Sequence, residues 1–269
     1  MALIQVNYLS KSLYRTVPVN VVLPVDKLDY ASGDYLPNTN KFKTLYLLHG
    51  LLGNYTDWIS GTRLQRWAEE KNLAVVMPSG DNAFYINSKI SRNNYEQFIG
   101  KELVEVTRRM FPLSDRREDT FIAGLSMGGY GAIRNGLVFS EVFSHIAGMS
   151  SAVHIFNKEI RHIGGEESIF GDLEEAAKTS FNPKIAFMDL VKEGRDIPKI
   201  YMSCGCEDDL FDINTELRDF FKENGADVTW DEEAGRGHDW DFWDSQIKKV
   251  IDWLPLENAS AGIGSGNVK

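Results

Sequence analysis

One stretch decides how this chain folds: Thr120-Phe121-Ile122-Ala123-Gly124-Leu125-Ser126-Met127-Gly128-Gly129. It joins a short apolar run to a sequence with helical patterning, and it contains Gly-x-Ser-x-Gly, a motif that places a nucleophilic serine on a sharp turn between strand and helix. The backbone of such a serine is strained, so the positions two residues away on each side need small side chains, and both are glycine. A glycine-rich turn with an incidental serine is the alternative, but the flanking strand and helix disfavour it. The stretch therefore predicts a strand–turn–helix unit with Ser126 as a nucleophile.

Short apolar runs alternate with helical patterns on both sides of this unit. Runs such as Thr44–Leu48 are apolar without alternation, as in strands that are buried on both faces. The predicted strands are 4–9, 17–23, 44–48, 73–77, 120–123, 144–149, 199–204 and 227–230. The predicted helices are 62–71, 95–111, 127–139, 213–224 and 240–254. The alternation predicts an α/β fold with helices on both faces of a mixed sheet of about eight strands, parallel in its centre.

The length of 269 residues fits one large α/β domain, which we expect to span residues 1–257. The segment 151–196 interrupts the alternation and is too long for a structureless loop, so we expect a partly helical insertion that lies over the site as a lid. The last residues, 258–269, are small and polar, which is typical of a disordered tail.

The composition narrows the classes of function. With 43% hydrophobic residues the chain can bury a large core, and its formal net charge of −10 repels phosphate backbones and anionic lipids. We therefore expect neither nucleic acid nor membrane as a partner. No signal peptide or spanning segment is visible, and Cys204 and Cys206 are too close in sequence to pair within one strand. A reducing, cytoplasmic location is the expectation.

A serine hydroxyl becomes a nucleophile when a neutral histidine accepts its proton, and a carboxylate must orient that histidine. In α/β-hydrolases the acid and the histidine follow the serine in that order, each at the carboxyl end of a later strand. His145 begins a predicted strand, at the wrong edge of the sheet, and His154 and His162 precede the strand expected to carry the acid. His238 lies between the last strand and the last helix, and it alone has the right position. Its alternative is an ordinary histidine in a surface loop.

The triad acid is expected just after the strand 199–204, where Glu207, Asp208 and Asp209 compete. A run of carboxylates is usually a solvated turn, and that description must hold for at least two of these three residues. Position favours Asp208, and Asp209 is the alternative.

The oxyanion hole needs two backbone N–H groups that point at the developing negative charge. Met127, directly after the nucleophile, supplies one, and we assign the second to Leu51, in the small-residue turn 49–54 after an early strand. The alternative for this turn is an ordinary strand end. Trp58 and Trp240 are the candidates for walls of a substrate pocket. No Cys/His set completes a tetrahedral site, so a bound metal is not expected.

Several of these residues together resemble a known family. The segments that carry the resemblance are 45–50, Asp57-Trp58, 75–78, 121–131, Cys204-Gly205 and 237–240. They resemble the tributyrin esterase group within the esterase D-like α/β-hydrolases, over about residues 6–254. The family pattern Cys-Gly-x-x-Asp falls on Cys204, Gly205 and Asp208, so the resemblance also implies Asp208 as the acid. It implies hydrolysis of short-chain acyl esters, such as acetyl groups on small alcohols or sugars, without a cofactor.

The resulting hypothesis is a serine carboxylesterase that hydrolyses acetyl to butyryl esters of small molecules. Feruloyl or acetyl-xylan esterases and S-formylglutathione hydrolases share the scaffold, and fold analogy does not separate them. A catalytically inactive α/β-hydrolase that serves as a binding module is the alternative from another class. The resemblance also makes a homo-oligomer an expectation.

Overall fold

The structure, a computed structural model, describes residues 1–29, 31–36, 41–88, 93–156 and 166–257. Within these residues eight strands form one sheet in the order β1-β2-β4-β3-β5-β6-β7-β8. Strands β1 and β2 pair in antiparallel fashion, β2 joins β4 in the same way, and the other neighbours are parallel. The strands are β1 (Ala2–Ser10), β2 (Arg15–Leu23), β3 (Thr44–Leu48), β4 (Ala74–Pro78), β5 (Thr120–Leu125), β6 (His145–Met149), β7 (Lys199–Gly205) and β8 (Val228–Glu233). This arrangement confirms the predicted mixed sheet with a parallel centre.

Ten α-helical segments accompany the sheet within the described residues, including the five regions that the sequence predicts. They are α1 (Asp57–Gly61), α2 (Leu64–Glu70), α3 (Tyr95–Gln97), α4 (Leu103–Met110), α5 (Met127–Val138), α6 (Glu166–Phe170), α7 (Leu173–Ala176), α8 (Pro183–Lys192), α9 (Phe211–Glu223) and α10 (Trp240–Trp253). A π-helical segment, Phe98–Glu102, connects α3 with α4. The patterns at 95–111 therefore belong to one helical rod with a wide turn inside it.

The central strands β3 to β7 are buried on both faces at nearly every residue, as their continuous apolar runs predict. Tyr46 and Leu48 of β3 pack into one core with α3 to α5, α8 and α9, while Leu45 and Leu47 pack into a second core with α1, α2 and α10. Successive side chains of a strand point to opposite faces, which is why one short strand supplies both cores. The two cores hold the sheet rigid, so the loops at its carboxyl edge have fixed starting points.

The wide turn between α3 and α4 is a feature that helical periodicity did not predict. The buried carboxylate of Glu102 accepts hydrogen bonds from the amides of Lys11 and Ser12, at 2.9 and 2.7 Å, in the β1–β2 turn. Gly100 allows the rod to lie close to the ring of Phe139, where a Cβ atom would collide with the ring. Periodicity indicates which face of a helix is buried, whereas these two contacts join segments that are far apart in the sequence.

The segment 151–196 is partly helical, as expected. It contains a 3₁₀ turn, Val153–Phe156, followed by α6, α7 and α8. Residues 157–165 of this segment, which include His162, lie outside the described residues, and so does the tail 258–269. That residues 1–257 form one domain and that 151–196 acts as a lid remain predictions. Within the described ranges, no helix is both long and apolar enough to cross a bilayer.

Candidate active site

Ser126 lies on the sharp turn that the sequence predicts, between β5 and α5. Its backbone angles are φ 53° and ψ −117°, which residues with a Cβ atom rarely adopt. Gly128 makes the turn possible, because a Cβ atom there would lie 2.5 Å from the carbonyl oxygens of both Leu48 and His49. The turn therefore presses the start of α5 against the end of β3 and presents the serine hydroxyl at the carboxyl edge of the sheet.

A chain of hydrogen bonds joins three side chains from three different loops. The Nε2 atom of His238 lies 2.9 Å from Oγ of Ser126, and its Nδ1 atom lies 2.9 Å from Oδ2 of Asp208. A carboxylate only accepts hydrogen bonds, so Nδ1–H donates to Asp208 and Nε2 is left to accept from the serine hydroxyl. This is the geometry in which a histidine can remove the serine proton.

Of the three acidic residues that competed for the triad, the structure brings Asp208 to the histidine. The side chain of Asp208 is 1% exposed, whereas Glu207 and Asp209 face solvent. Burial opposes ionisation of Asp208, but hydrogen bonds from His238 and from the Leu210 amide outweigh it and hold the pKa of the carboxyl below its usual value. Asp208 is therefore a carboxylate that can orient His238 and stabilise its cation.

The loop that carries His238 is fixed from two sides. The carbonyl of Arg236 accepts a hydrogen bond from the Glu207 amide at 2.9 Å, and Asp239 caps α10 by accepting from the Phe242 amide at 2.9 Å. The Trp243 ring meets the imidazole edge to face, with the ring centroids 4.9 Å apart. Trp243 is buried in the second core, and it also contacts the histidine.

The turn 49–54 lies directly against the nucleophile. A Cβ atom on Gly50 would be 3.5 Å from Cβ of Ser126. Inside the turn, Leu52 donates its amide to Oδ1 of Asn82 at 2.8 Å. The amides of Leu51 and Met127 have no hydrogen-bond partner within the described part of the chain. These two N–H groups, the ones assigned from sequence, are therefore available to bind an oxyanion.

The two tryptophans predicted for the pocket, Trp58 and Trp240, are not among the residues that line the cavity beside the turn 49–54. Trp58 is 1% exposed and donates its Nε1–H to the Leu48 carbonyl at 3.0 Å, so it belongs to the core beneath the turn. Trp240 is half-buried and packs edge to face on Trp58, with centroids 5.7 Å apart. The reason is that α10 packs with α1 and α2 on the second core, and these rings fill the space between them.

An open cavity of about 500 Å³ adjoins the turn 49–54 instead. Leu51 and Leu52 form one side, the segment 81–88 and Tyr95 form another, and the start of α6 closes a third. Most of the surface that lines it is apolar, which is typical of small-ligand sites. No local pattern in the sequence predicts this cavity, because its lining comes from three separate segments of the chain.

The two cysteines, Cys204 and Cys206, form no disulfide, and both thiols are free. Cys204 is buried, and that burial raises the pKa of its thiol far above the ordinary value, whereas Cys206 is exposed. The described residues contain no group of three or more His, Cys, Asp or Glu side chains placed to hold a metal ion.

Comparison with known proteins identifies the family. Residues 10–253 match the family described as "Putative esterase". The chain is 40% identical over 263 residues to an acetyl esterase of Caldicellulosiruptor saccharolyticus, covering 94% of this chain and 98% of that protein.

Two solved structures from Staphylococcus aureus share the fold. One is the fluorophosphonate-binding serine hydrolase F with substrate bound, and the other is an S-formylglutathione hydrolase without ligand. Each is 31% identical with a TM-score of 0.83 and covers 94% of this chain and 98% of its own. From the family match and the fold, we conclude that the chain belongs to the esterase family of α/β-hydrolases and is a carboxylic ester hydrolase.

Proposed function

We propose that the protein is a serine carboxylesterase that hydrolyses short-chain acyl esters, acetyl to butyryl, through an acyl-enzyme. The observation that carries the proposal is the unbroken chain of hydrogen bonds from Ser126 through His238 to Asp208. Each residue in this chain has the chemistry that its position requires: a hydroxyl, an imidazole with one free acceptor nitrogen, and a buried carboxylate.

The geometry supports the following course of reaction. Ser126 attacks the ester carbonyl while His238 takes its proton, and the imidazolium is stabilised by Asp208. The amides of Leu51 and Met127 bind the oxyanion of the tetrahedral intermediate. His238 then gives its proton to the leaving alcohol, and a water molecule, activated by the same histidine, releases the acyl group from Ser126.

Similarity to the acetyl esterase supports a short acyl group, because it is the similarity with the highest identity reported above, 40% over nearly the whole chain. Membership of the tributyrin esterase group is part of the same proposal and rests on the segments quoted from the sequence. We further propose that the enzyme works in the cytoplasm without a cofactor on small-molecule esters, and not on nucleic acid or membranes. Light scattering would test whether it forms a homo-oligomer.

Hydrolysis of p-nitrophenyl acetate and butyrate by the wild type and by Ser126→Ala tests the proposal. We expect the substitution to lower kcat by at least 10³-fold, on the order seen when a triad nucleophile is removed. The matched control is Ser32→Ala, which removes a serine hydroxyl from an exposed turn and should leave kcat unchanged. Full activity in Ser126→Ala would contradict the proposal, because hydrolysis would then not depend on Ser126. A wild type that hydrolyses neither ester would favour an α/β-hydrolase with a role in binding.

A second candidate is hydrolysis of S-formylglutathione. The structure of the S-formylglutathione hydrolase at 31% identity favours it specifically. The ratio of kcat/KM for acetyl, butyryl, feruloyl and formylglutathione substrates would decide between the candidates. A preference for the thioester of 100-fold or more would replace the carboxylesterase assignment, while the triad chemistry would stay the same.

A further inference from the structure

His49 is a second histidine at the carboxyl edge of the sheet, and the proposed reaction does not use it. His49 is only 1% exposed, and both nitrogens of its ring face backbone groups. Nε2 lies 2.8 Å from the amide nitrogen of Gly80, and Nδ1 lies 2.7 Å from the carbonyl oxygen of Gly50. An amide N–H can only donate and a carbonyl can only accept, so Nε2 accepts and Nδ1–H donates. The hydrogen-bond network thus fixes one tautomer.

This environment also keeps the imidazole neutral. Burial lowers the pKa of His49 below its ordinary value, against the weaker opposite effects of the Gly50 carbonyl, Asp57 and Asp81. A proton on Nε2 would point at the Gly80 N–H and replace an attraction by a repulsion. His49 is consequently unsuited to carry protons, and its role must lie in what its two hydrogen bonds hold in place.

One of those bonds holds the peptide that carries the proposed oxyanion donor. The Gly50 carbonyl and the Leu51 N–H belong to the same planar trans peptide, in which the two groups point in opposite directions. Fixing the direction of the carbonyl therefore fixes the direction of the N–H. The amide of Gly53 also donates to this carbonyl, but at 3.3 Å, so the bond from His49 at 2.7 Å is the shorter of the two.

We propose that His49 is a positioning residue, whose Nδ1–H fixes the Gly50–Leu51 peptide so that the Leu51 N–H points at the oxyanion of the reaction at Ser126. This inference rests on the proposed function. In the alternative, His49 only ties the loop after β4 to the sheet. The bond from Gly80 and the bond from the Tyr85 hydroxyl to the His49 carbonyl, at 2.9 Å, would then be the important ones.

Two amide substitutions separate these roles. In His49→Asn the side-chain amide group can take the place of Nδ1–H and donate to Gly50, while the bond from Gly80 is lost. In His49→Gln the longer side chain places its amide oxygen near the position of Nε2, where it can accept from Gly80, while the bond to Gly50 is lost. The comparison therefore removes one hydrogen bond at a time.

We expect kcat for p-nitrophenyl acetate to stay within about 5-fold of wild type in His49→Asn. In His49→Gln it should fall by about 30- to 100-fold, approaching the loss of one oxyanion donor, with KM little changed. Affinity for a trifluoromethyl ketone, which forms an oxyanion when the serine adds to it, should fall in parallel with kcat. Ser79→Ala is the control: it removes a different tie of the loop after β4, the hydroxyl that accepts from the Tyr55 amide at 3.2 Å, and its kcat should stay within about 3-fold of wild type.

Equal losses in the two variants, or a larger loss in His49→Asn, would overturn the proposal. If His49→Asn does not fold, an unchanged kcat and ketone affinity in His49→Gln would overturn it, and their joint fall would support it. The failure of the proposed function looks different, because the wild type would then hydrolyse no ester at all. The rate at which a fluorophosphonate labels Ser126 would still compare the two variants in that case.

Discussion

Two loops at the same edge of the sheet each carry a histidine, and they hold it in opposite ways. In the loop between β8 and α10, His238 is bonded to two side chains that can change their own state, a serine hydroxyl and a carboxylate. In the loop between β3 and α1, His49 is bonded to two backbone groups that cannot. The side chain of His238 is 37% exposed, whereas residue His49 is 1% exposed.

The difference shows that a histidine takes its role from its partners and not from its place at the edge of the sheet. A partner that can give up a proton lets the imidazole change its charge, and a buried carboxylate beside it stabilises the cation. Two backbone partners instead hold the imidazole in one neutral tautomer and in one orientation. We therefore propose that the same side chain serves as a proton carrier in one loop and as a support in the other.

The largest effect expected in the first loop comes from Asp208→Asn, which keeps the shape of the acid but removes its charge. The amide can turn its N–H towards His238 and favour the wrong tautomer, so kcat should fall on the order of 10³- to 10⁴-fold. Asp209→Asn changes an exposed neighbour in the same turn and should alter kcat less than 3-fold. Steady-state kinetics with p-nitrophenyl acetate measures both, and a larger loss in Asp209→Asn would assign the acid to that residue.

Chemical rescue sharpens the contrast between the two histidines. Added imidazole can reach the space left by His238→Ala because that side chain is partly exposed, and we expect about a 10-fold gain over the unrescued variant. The buried space left by His49→Ala is closed to solvent, so its activity should not respond to imidazole. Initial rates at increasing imidazole concentration test this. Rescue of His49→Ala alone would reverse the two roles.

The smallest effect is expected on stability and comes from His145, the first residue of β6, at the opposite edge of the sheet. Burial, together with Lys199 and Arg117, lowers its pKa from 6.5 to about 4. The unfolded chain therefore binds a proton near pH 6.5 that the folded chain binds only near pH 4, so the free energy of unfolding should fall as the pH drops through this interval. Allowing for partial exposure, the loss is about 1 to 2 kcal/mol.

His145→Phe removes this titration and keeps a ring between Phe121 and Trp253, which pack on His145 at 5.4 and 5.1 Å between centroids. Urea unfolding measures the free energy of unfolding at pH 7 and at pH 4.5. The drop in this free energy between the two pH values should be smaller in the variant than in the wild type. If the free energy of unfolding drops equally in both proteins, His145 has no part in the acid sensitivity of the fold.

Much of the fold followed from local patterns in the sequence. Each predicted strand appears within about two residues of its observed bounds at most ends. In the centre of the sheet the reason is that the strands are buried on both faces, so their sequences are continuous apolar runs. The order of serine, acid and histidine along the chain pointed to the three side chains that the structure brings together. Position within a turn favoured Asp208, and burial now explains the preference.

The remaining features depend on contacts between distant segments. The cavity is lined by Leu51, by the segment 81–88 and by α6, which no local pattern connects. Trp58 looked like a pocket wall because it follows the predicted oxyanion turn, but helix packing turns its ring into the core. The role inferred for His49 depends on the amide of Gly80, which lies 31 positions further along the chain.

The central claim, that Ser126 is the nucleophile activated by His238, is tested most directly by a fluorophosphonate probe. The probe is incubated with the wild type and with His238→Ala, and the labelled residue is located by mass spectrometry. We expect the label on Ser126 in the wild type, with the labelling rate at least 100-fold lower in His238→Ala, because the hydroxyl loses its base. A label on another residue, or an undiminished rate in His238→Ala, would contradict the account.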